Sequence, residues 1–413
     1  MSLSAEIIAV GTEILLGEIT NTDAVTVARA LSELGINAYY QTVVGDNPDR
    51  LYDVIMTAKS RADIIITTGG LGPTFDDLTK QVAARAFGKK LELNEGELSR
   101  IENYFKTRGR KMTENNARQA YLPEGCTVFE NDWGTAPGCA IEDGGKILIM
   151  LPGPPRECRP MVECRMVPYL KKLSDAHLVS HAIRIYGMGE SEVESRIASF
   201  AEEMENPTLA PYAKDGEVML RVTGKAKTEE EADAITRPVI EMVCETLGEV
   251  VYGVDVPDLQ TAAFNVLKEK KLTLATAESC TGGLCSKLIT DISGSSEVFL
   301  GGMCAYTDEV KIKHLGISPE IIEKYGVVSD EVARALSQAA CEKFSSDAGI
   351  GVTGWADPTS GDEKNPGGTV YVAVTLRGKT QSSKIYQPMS RDLARGRAAQ
   401  EAFAILRREA EKI

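Results

Sequence analysis

Two short stretches carry residues whose types and spacing suit chemistry. In the first, Gly69, Gly70, Gly72 and Pro73 are followed by Thr74, Asp76, Asp77 and Thr79. Glycines let a chain turn sharply and approach a ligand with no Cβ in the way, and adjacent carboxylates offer hard oxygen donors. In the second, Glu278-Ser279-Cys280-Thr281-Gly282-Gly283 sets a hydroxyl beside a glycine turn. A hydroxyl at a helix start suits a nucleophile or a phosphate contact, and a nucleophilic serine needs a base. The chain has three histidines, His177, His181 and His314. A Ser-His-Asp arrangement is thus excluded upstream of residue 177. Any metal there takes oxygen ligands, which points to Mg²⁺ or Mn²⁺ rather than zinc.

For Ser279 the better partner is Lys311 rather than His314, because a partly desolvated lysine becomes neutral enough to take a proton. The competing reading makes Ser279 or Thr281 an N-cap and Lys311 a solvated side chain, and spacing does not separate the two. In the first stretch, Asp76 and Asp77 with Glu13 and Asp23 could gather a divalent ion that bridges a pyrophosphate held by glycine-turn N–H groups. Arg156 and Glu157 follow another strand end and could join them. The competing reading is helix-cap carboxylates and scattered surface acids.

Strands and helices must hold these groups. A strand at 5–11 leads to Gly11-Thr12-Glu13, and Asn21-Thr22-Asp23 caps a helix with Val27, Ala30, Leu31 and Leu34 on one face. A strand at 37–43, a helix at 48–60 and a buried strand at 64–66 follow. Asp76, Asp77 and Thr79 then supply cap oxygens for the next helix. This βαβαβα alternation predicts a doubly wound parallel sheet. Residues 94–125 read as largely helical, and strands at 139–141 and 146–151 end in Pro152-Gly153. Three glycine-bearing strand ends (Gly11, Gly69 to Gly72, Gly153) would then share one sheet edge, where open α/β sheets hold ligands.

From about residue 174 the pattern becomes strand, helix, two strands, helix, strand, a small α+β unit of ferredoxin-like or KH-like type. It carries Glu229-Glu230-Glu231 and no basic stripe, which favours a spacer over a nucleic-acid reader. The third unit has a helix at 259–270, a strand at 272–275, the Ser279 turn, and a strand at 302–306. A helix after Ser329 and a strand at 348–352 lead to Thr353-Gly354-Trp355-Ala356-Asp357-Pro358. Strands at 368–376 and 381–386 and a helix from Asp392 complete an α/β unit.

At 413 residues the chain exceeds one ordinary core. It is 43% hydrophobic and 26% charged, with no apolar run near the roughly 20 residues that span a bilayer. The first residues lack a basic region followed by an apolar one, which argues against export and membrane partners. A net charge of −14 opposes broad phosphate-backbone binding, so no nucleic-acid partner is expected. Nine scattered cysteines without a Cys-x-x-Cys pair fit reduced thiols in a cytoplasmic protein.

Longer motifs add a resemblance. Gly11-Thr12-Glu13-Ile14-Leu15, Gly-Gly-Leu-Gly-Pro-Thr-x-Asp-Asp-x-Thr at 69–79, Gly134-Thr135-Ala136-Pro137-Gly138 and Leu151-Pro152-Gly153 resemble the N-terminal domain of the CinA family (competence/damage-inducible protein A). That domain is similar to molybdopterin-binding proteins. Ala277 to Gly283, Tyr306 to Lys311, and Gly351-Val352-Thr353-Gly354 resemble the family's C-terminal amidase domain. The resemblance covers nearly the full length. It implies a molybdopterin-binding-like domain at 1–173, a KH-like connector at 174–254, and an amidase domain at 255–413.

The resemblance further implies two hydrolase activities in pyridine-nucleotide salvage. One is deamidation of nicotinamide mononucleotide without a cofactor; the other is metal-dependent cleavage of ADP-ribose. It would make Ser279 the nucleophile and Lys311 its base, with Tyr306 and Thr353 assisting. Thr281, Gly282, Gly283 and Arg391 would contact substrate. In the first domain Gly69, Gly70, Gly72, Thr74 and Glu13 would contact substrate, and Asp76 and Asp77 would hold the metal. The partners implied are small nucleotides and a second copy in a homodimer. The chain departs from the family pattern at Asp23, where Asn is usual, and at Trp355 and Asp357 in the family's Thr-Gly-Ile-Ala-Gly-Pro. Asp357 sets a negative charge where glycine would admit an anionic nucleotide, which would weaken or redirect the amidase. The alternative is a nucleotide- or pterin-binding protein with one or both sites inactive.

Overall fold

Apolar strands alternating with capped helices build the first domain outward from Ile64–Thr68, whose five residues are all buried. The structure, a computed structural model, describes residues 3–172, 177–201, 204–214 and 216–413, so the expected boundary at 173 and 174 lies outside the described residues. The six-stranded sheet has the order Asn37–Val44, Ser4–Val10, Ile64–Thr68, Lys146–Leu151, Gly138–Asp143, Thr127–Phe129. The first four strands run parallel and the last two antiparallel, so the doubly wound sheet carries an antiparallel edge.

Strand alternation divides the core. Ile7, Ile64 and Ile66 face one side and pack with Val27, Leu31 and Met161, while Ile8 and Ile65 face the other with Leu51, Ile55 and Val82. Asn21 and Asn47 cap the helices Thr22–Glu33 and Pro48–Arg61 by accepting the N–H groups of Ala24 and Arg50.

The expected cap before Thr79–Ala86 is corrected. Its N-cap is Leu78, with no side-chain hydrogen bond, and the Thr79 hydroxyl donates instead to the Gly69 carbonyl at 2.9 Å. Residues 94–125 also differ from expectation: the helix Glu95–Thr107 gives way to a 3₁₀ turn, Glu114–Ala120, and to Tyr121–Pro123, which pairs with Leu91–Leu93.

Contacts divide the chain into two compact units, Met1–Ser180 with Gly224–Ile235, and His181–Thr223 with Thr236–Ile413. The middle module has a four-stranded sheet ordered Thr208–Lys214, Glu217–Ala226, His177–Tyr186, Val251–Val254. Ile183, Ile185, Val193, Ile197 and Leu220 fill its core. In the C-terminal part five strands take the order Phe299–Cys304, Leu274–Glu278, Ala348–Gly354, Thr369–Leu376, Lys379–Tyr386. The first three are parallel and the last two antiparallel. Leu259–Glu269 and Arg391–Glu411 pack into one core cluster, and Asp330–Phe344 into another. Two short helices, Asp308–Leu315 and Pro319–Tyr325, were not legible as periodic segments. No helix of the described residues is long and apolar enough to cross a membrane.

The strand Ala348–Gly354 holds Thr353 in place because the helix Asp330–Phe344 lies directly on it. A Cβ at Gly351 would stand 2.3 Å from the Ala333 carbonyl oxygen and 2.4 Å from the Ser337 nitrogen, both backbone. Gly351→Ala must therefore push helix from strand. It should lower stability in urea unfolding by about 1–3 kcal/mol, the usual cost of overpacking. An unchanged midpoint would refute this close contact.

Candidate functional site

In the N-terminal domain three neighbouring parallel strands end together. Gly11, Gly69 to Gly72 and Gly153 all line one cavity of about 530 Å³, joined by Glu13, Thr74 and Asp76. Backbone bonds seat the turns: the Gly11 N–H donates to Val44 O and the Gly69 N–H to Leu151 O, both at 3.0 Å. Gly69 has φ of 95°, and a Cβ there would lie 2.2 Å from the Val10 carbonyl oxygen. The glycine is thus demanded by the protein's own strand end before any ligand arrives. At Gly72 a Cβ would meet the Asp77 carboxylate, a side-chain group, at 2.5 Å.

The cavity is acidic. Glu13, Asp23, Asp46, Asp76, Asp77 and Glu157 line it, and among the described lining residues none is Lys, Arg or His. Most of these carboxylates have local donors. Asp46 accepts the N–H and hydroxyl of Thr12 at 2.9 and 2.8 Å. Asp77 accepts the Thr74 N–H at 2.8 Å and also the Thr74 hydroxyl, so both are committed to closing the turn. Glu157, nearly buried, accepts from the Asn131 amide at 2.9 Å. Burial pushes the Asp23 carboxyl up to about 6, with the Cys158 thiol hydrogen bond pulling the other way.

Among the described residues no three His, Cys, Asp or Glu side chains converge as a ready ligand set. The donors nonetheless fit a hard dication of the Mg²⁺ kind. Such an ion keeps several waters, needs one or two carboxylates, and takes the remainder of its ligands from substrate phosphates. Asp76 is exposed and Asp77 half-buried at the cavity wall.

Sequence reasoning missed two residues here. Lys80 is 3% exposed, and its ammonium donates to the carbonyls of Gln119 at 2.7 Å and Arg118 at 3.3 Å. Desolvation lowers its pKa to about 8, against weaker support from Cys139 and Asp77. Gln119 lines the cavity, and its buried side-chain oxygen has no hydrogen-bond partner among the described residues. Neither was legible, because both roles depend on a 3₁₀ turn about 40 residues downstream of the glycine motif.

In the C-terminal domain the ends of three parallel strands again meet. The Ser279 N–H donates to Val352 O at 2.9 Å, and the Ala305 N–H to Glu278 O at 2.7 Å. Ser279, Tyr306 and Thr353 follow or end these strands. The expectation of Ser279 as a hydroxyl exposed at a helix start is corrected. Ser279 is 7% exposed, and the helix Leu284–Thr290 begins later, with Gly283 as its N-cap in the left-handed region. Glu278, fully buried, takes the N–H groups of Cys285 and Ser286 at 2.9 and 2.8 Å and the Ser286 hydroxyl at 2.8 Å. It satisfies the first turn that neither Ser279 nor Thr281 caps. Thr281 is buried and its hydroxyl has no partner among the described residues. Gly282 and Gly283, both at positive φ, make the turn.

The solvated-lysine reading of Lys311 is also corrected. The residue is 1% exposed, with long contacts from its ammonium to the Tyr306 carbonyl (3.3 Å) and Asp308 (3.4 Å). Burial pushes its pKa below the ordinary lysine value; the nearby carboxylate of Asp308 and, more weakly, Cys280 and Tyr306 oppose this. Cys280 follows Ser279 in sequence, so the charge that Lys311 feels includes that of the serine turn. The Arg391 guanidinium donates to the Tyr306 hydroxyl at 3.0 Å. The Thr353 hydroxyl donates to the Val327 carbonyl at 2.8 Å, a positioning bond. Arg395, one helical turn beyond Arg391, donates to the Thr281 carbonyl at 2.7 and 3.3 Å and was not anticipated; its i+4 spacing was the available signal. Asp357 turns back on its own loop, accepting the Thr359 N–H and hydroxyl at 2.9 and 2.8 Å. The Thr359 bonds chiefly hold its carboxyl below the usual range, and the Arg391 charge adds to this.

Fold and sites together define a three-part α/β protein with a molybdopterin-binding-like first domain. Residues 6–172 match the family described as probable molybdopterin binding domain, 180–253 the damage-inducible protein CinA KH domain, and 257–410 the CinA C-terminal domain. The chain belongs to the CinA family. It is 47% identical over 406 residues to a CinA-like protein of Kosmotoga olearia, covering 98% of each chain. It is 45% identical to a CinA-like protein of Dictyoglomus thermophilum, covering 98% of this chain and 99% of that one. A solved structure described as the protein CinA with unknown function, from Thermoplasma acidophilum, aligns with 42% of this chain and 99% of its own at 33% identity and a TM-score of 0.38.

Asp23 gives this site a measurable pH signature. Its folded-state pKa of about 6 lies above the ordinary 3.8, so between these values the folded protein binds more protons than the unfolded chain. Stability supplied by that proton is complete below pH 3.8 and is lost as pH rises through 6. With chelator present, Asp23→Asn should flatten this decline and raise stability at pH 7 by up to about 3 kcal/mol, at about 1.4 kcal/mol per tenfold in proton affinity. Parallel stability profiles for the two proteins would contradict it.

Proposed function

We propose that the chain is a bifunctional hydrolase of pyridine nucleotides, with an amide-cleaving C-terminal site and a metal-dependent pyrophosphate-cleaving N-terminal site. The observation that carries the first activity is the burial of Lys311, whose charge interacts with Cys280, the residue after Ser279. A lysine whose charged form is penalised can act as a base near neutral pH, as a serine nucleophile without histidine requires. The substrate is nicotinamide mononucleotide, suggested by the family resemblance and supported by Arg391 as a phosphate contact. Ser279 Oγ attacks the carboxamide carbon while Lys311 takes the hydroxyl proton. Lys311 returns that proton to the departing amine, which leaves as ammonia. Water activated by Lys311 then cleaves the acyl ester, releasing the acid and restoring Ser279. Tyr306, held by Arg391, and Thr353 orient the amide and its surroundings.

For the N-terminal site the supporting observation is the cavity itself. Its wall of carboxylates without a basic side chain repels a pyrophosphate unless a cation enters with it. A bound Mg²⁺ or Mn²⁺ would neutralise the ADP-ribose phosphates and polarise them toward water. Asp76 and Asp77 would hold it, Glu13 would orient water, and the glycine-turn N–H groups of Gly69, Gly70 and Gly72 would contact phosphate oxygens. The protein would work as a cytoplasmic homodimer. A second reading, a nucleotide- or pterin-binding domain without turnover, draws on the local partners that Asp46, Asp77 and Glu157 already have.

Ammonia release from nicotinamide mononucleotide tests the amidase. Ser279→Ala should reduce it by about 10³-fold or more, the scale of losing a nucleophile. Its kcat/KM should rise with pH as Lys311 loses its proton, along a limb below the ordinary lysine range, and Lys311→Arg should abolish that limb together with the activity. Equal rates in wild type and Ser279→Ala would end the nucleophile assignment. For the first domain, ADP-ribose cleavage should require added Mg²⁺ or Mn²⁺, stop with chelator, and fall about 10²-fold in Asp76→Asn. Binding of ADP-ribose with metal but without cleavage would select the second reading, and cleavage indifferent to chelator would remove the metal.

A further inference from the structure

The N-terminal cavity combines carboxylates and glycine-turn backbone with a few apolar side chains, and further large apolar side chains stand in water on the segments that line it. Phe75 is 85% exposed, the highest value among the exposed large hydrophobics, and lies between Thr74 and Asp76, both of which line the cavity. Ile19, another lining residue, is 52% exposed, and Leu15 and Leu16 just before it are 55% and 68% exposed.

The turn that presents Phe75 is held in place. Its Thr74 N–H and hydroxyl both go to Asp77, and the Asn115 amide reaches the Pro73 carbonyl at 3.5 Å. An aromatic ring kept in solvent by a fixed turn, at the rim of a charged cavity, matches a ligand that is ionic at one end and flat and apolar at the other.

We propose that Phe75 is a stacking platform for the base of the nucleotide whose phosphates enter this cavity, which makes it a specificity-determining residue. The inference rests on the nucleotide reading of the cavity and deepens it. A base offers a π-face whatever its identity, so the platform selects nucleotides over plain phosphates rather than one base over another. The interior selects phosphate accompanied by a cation; the rim selects what is attached to it.

The test uses the full chain and two probes, ADP-ribose and inorganic pyrophosphate, each titrated calorimetrically with Mg²⁺. Phe75→Ala should weaken ADP-ribose binding about tenfold, the scale of base stacking, and leave pyrophosphate within about twofold. Phe75→Trp should keep ADP-ribose affinity, and its added fluorescence should be quenched by ADP-ribose and not by pyrophosphate. Equal ADP-ribose affinity in wild type and Phe75→Ala overturns the platform while the nucleotide reading stands. Equal weakening of both probes overturns it too, since that would mark a damaged turn. A Phe75→Ala chain that sediments as a smaller species than wild type, with ADP-ribose affinity unchanged, assigns the rim to a second copy instead. A wild type that binds pyrophosphate but no ADP-ribose, or neither, removes the nucleotide reading and the platform with it.

Discussion

Like-charge repulsion around one cavity is the constraint on which the N-terminal half depends. Six carboxylates line a space of about 530 Å³ with no basic side chain among the described lining residues. Hydrogen-bond donors offset that repulsion at four of the six. Thr12 serves Asp46, Thr74 serves Asp77, and Asn131 serves Glu157, while Asp23 has the Cys158 thiol and a proton affinity raised by burial. Thr74 shares a turn with Asp77, whereas Thr12 and Asn131 reach their acids from other segments. The same donors leave the cavity net negative, so it still attracts cations.

The C-terminal half solves the opposite problem. A buried cation, Lys311, sits with only long contacts, and a buried anion, Glu278, is saturated by the first N–H groups of a helix. Glu278 is thereby spent on structure, which frees Ser279 from any capping duty. Lys311 is left with weak support, and its charged form is the one penalised. Glu278 is placed by the end of the strand Leu274–Glu278, and Lys311 by the helix Asp308–Leu315 that follows the neighbouring strand Phe299–Cys304. Arg391 and Arg395 then add positive charge from a separate helix, so this site is suited to anions where the first is suited to cations.

Much of this was legible in the sequence. The continuous β-branched run at Ile64 to Ile66 and the apolar residues around Ile7 marked strands, and Asn21 and Pro48 marked helix starts, because these signals are local. The three glycine-bearing strand ends were placed on one edge by the βαβ rule alone, and the structure brings Gly11, Gly69 and Gly153 to one cavity. What failed was finer. Asp76 and Asp77 look like caps in sequence, yet Leu78 takes the cap position because Asp77 bonds backward to Thr74 and Thr79 to Gly69. The strand before Ser279 runs through Glu278, so a serine that reads as the start of a helix lies before a glycine turn. Lys80 and Gln119 were invisible because their partnership joins segments about 40 residues apart.

Two of the three departures from the pattern that the resemblance implies bear on these sites differently. Asp23, where the family usually has asparagine, is buried in the cavity wall, and its environment answers by raising its proton affinity. Protonated, it resembles the neutral amide it replaces, so the substitution is nearly silent at acidic pH and adds a buried charge above it. Asp357 has no such escape. It is half-buried, its carboxyl is held ionised by Thr359, and it shares the field of Arg391. A phosphate approaching Arg391 therefore meets a guanidinium whose charge is already partly balanced. The cost is affinity for the anion, since balancing Arg391 changes neither the burial of Lys311 nor the seat of Ser279. On the proposed amidase reading, the expectation is thus weaker binding of the anion with Ser279 and Lys311 left as they are.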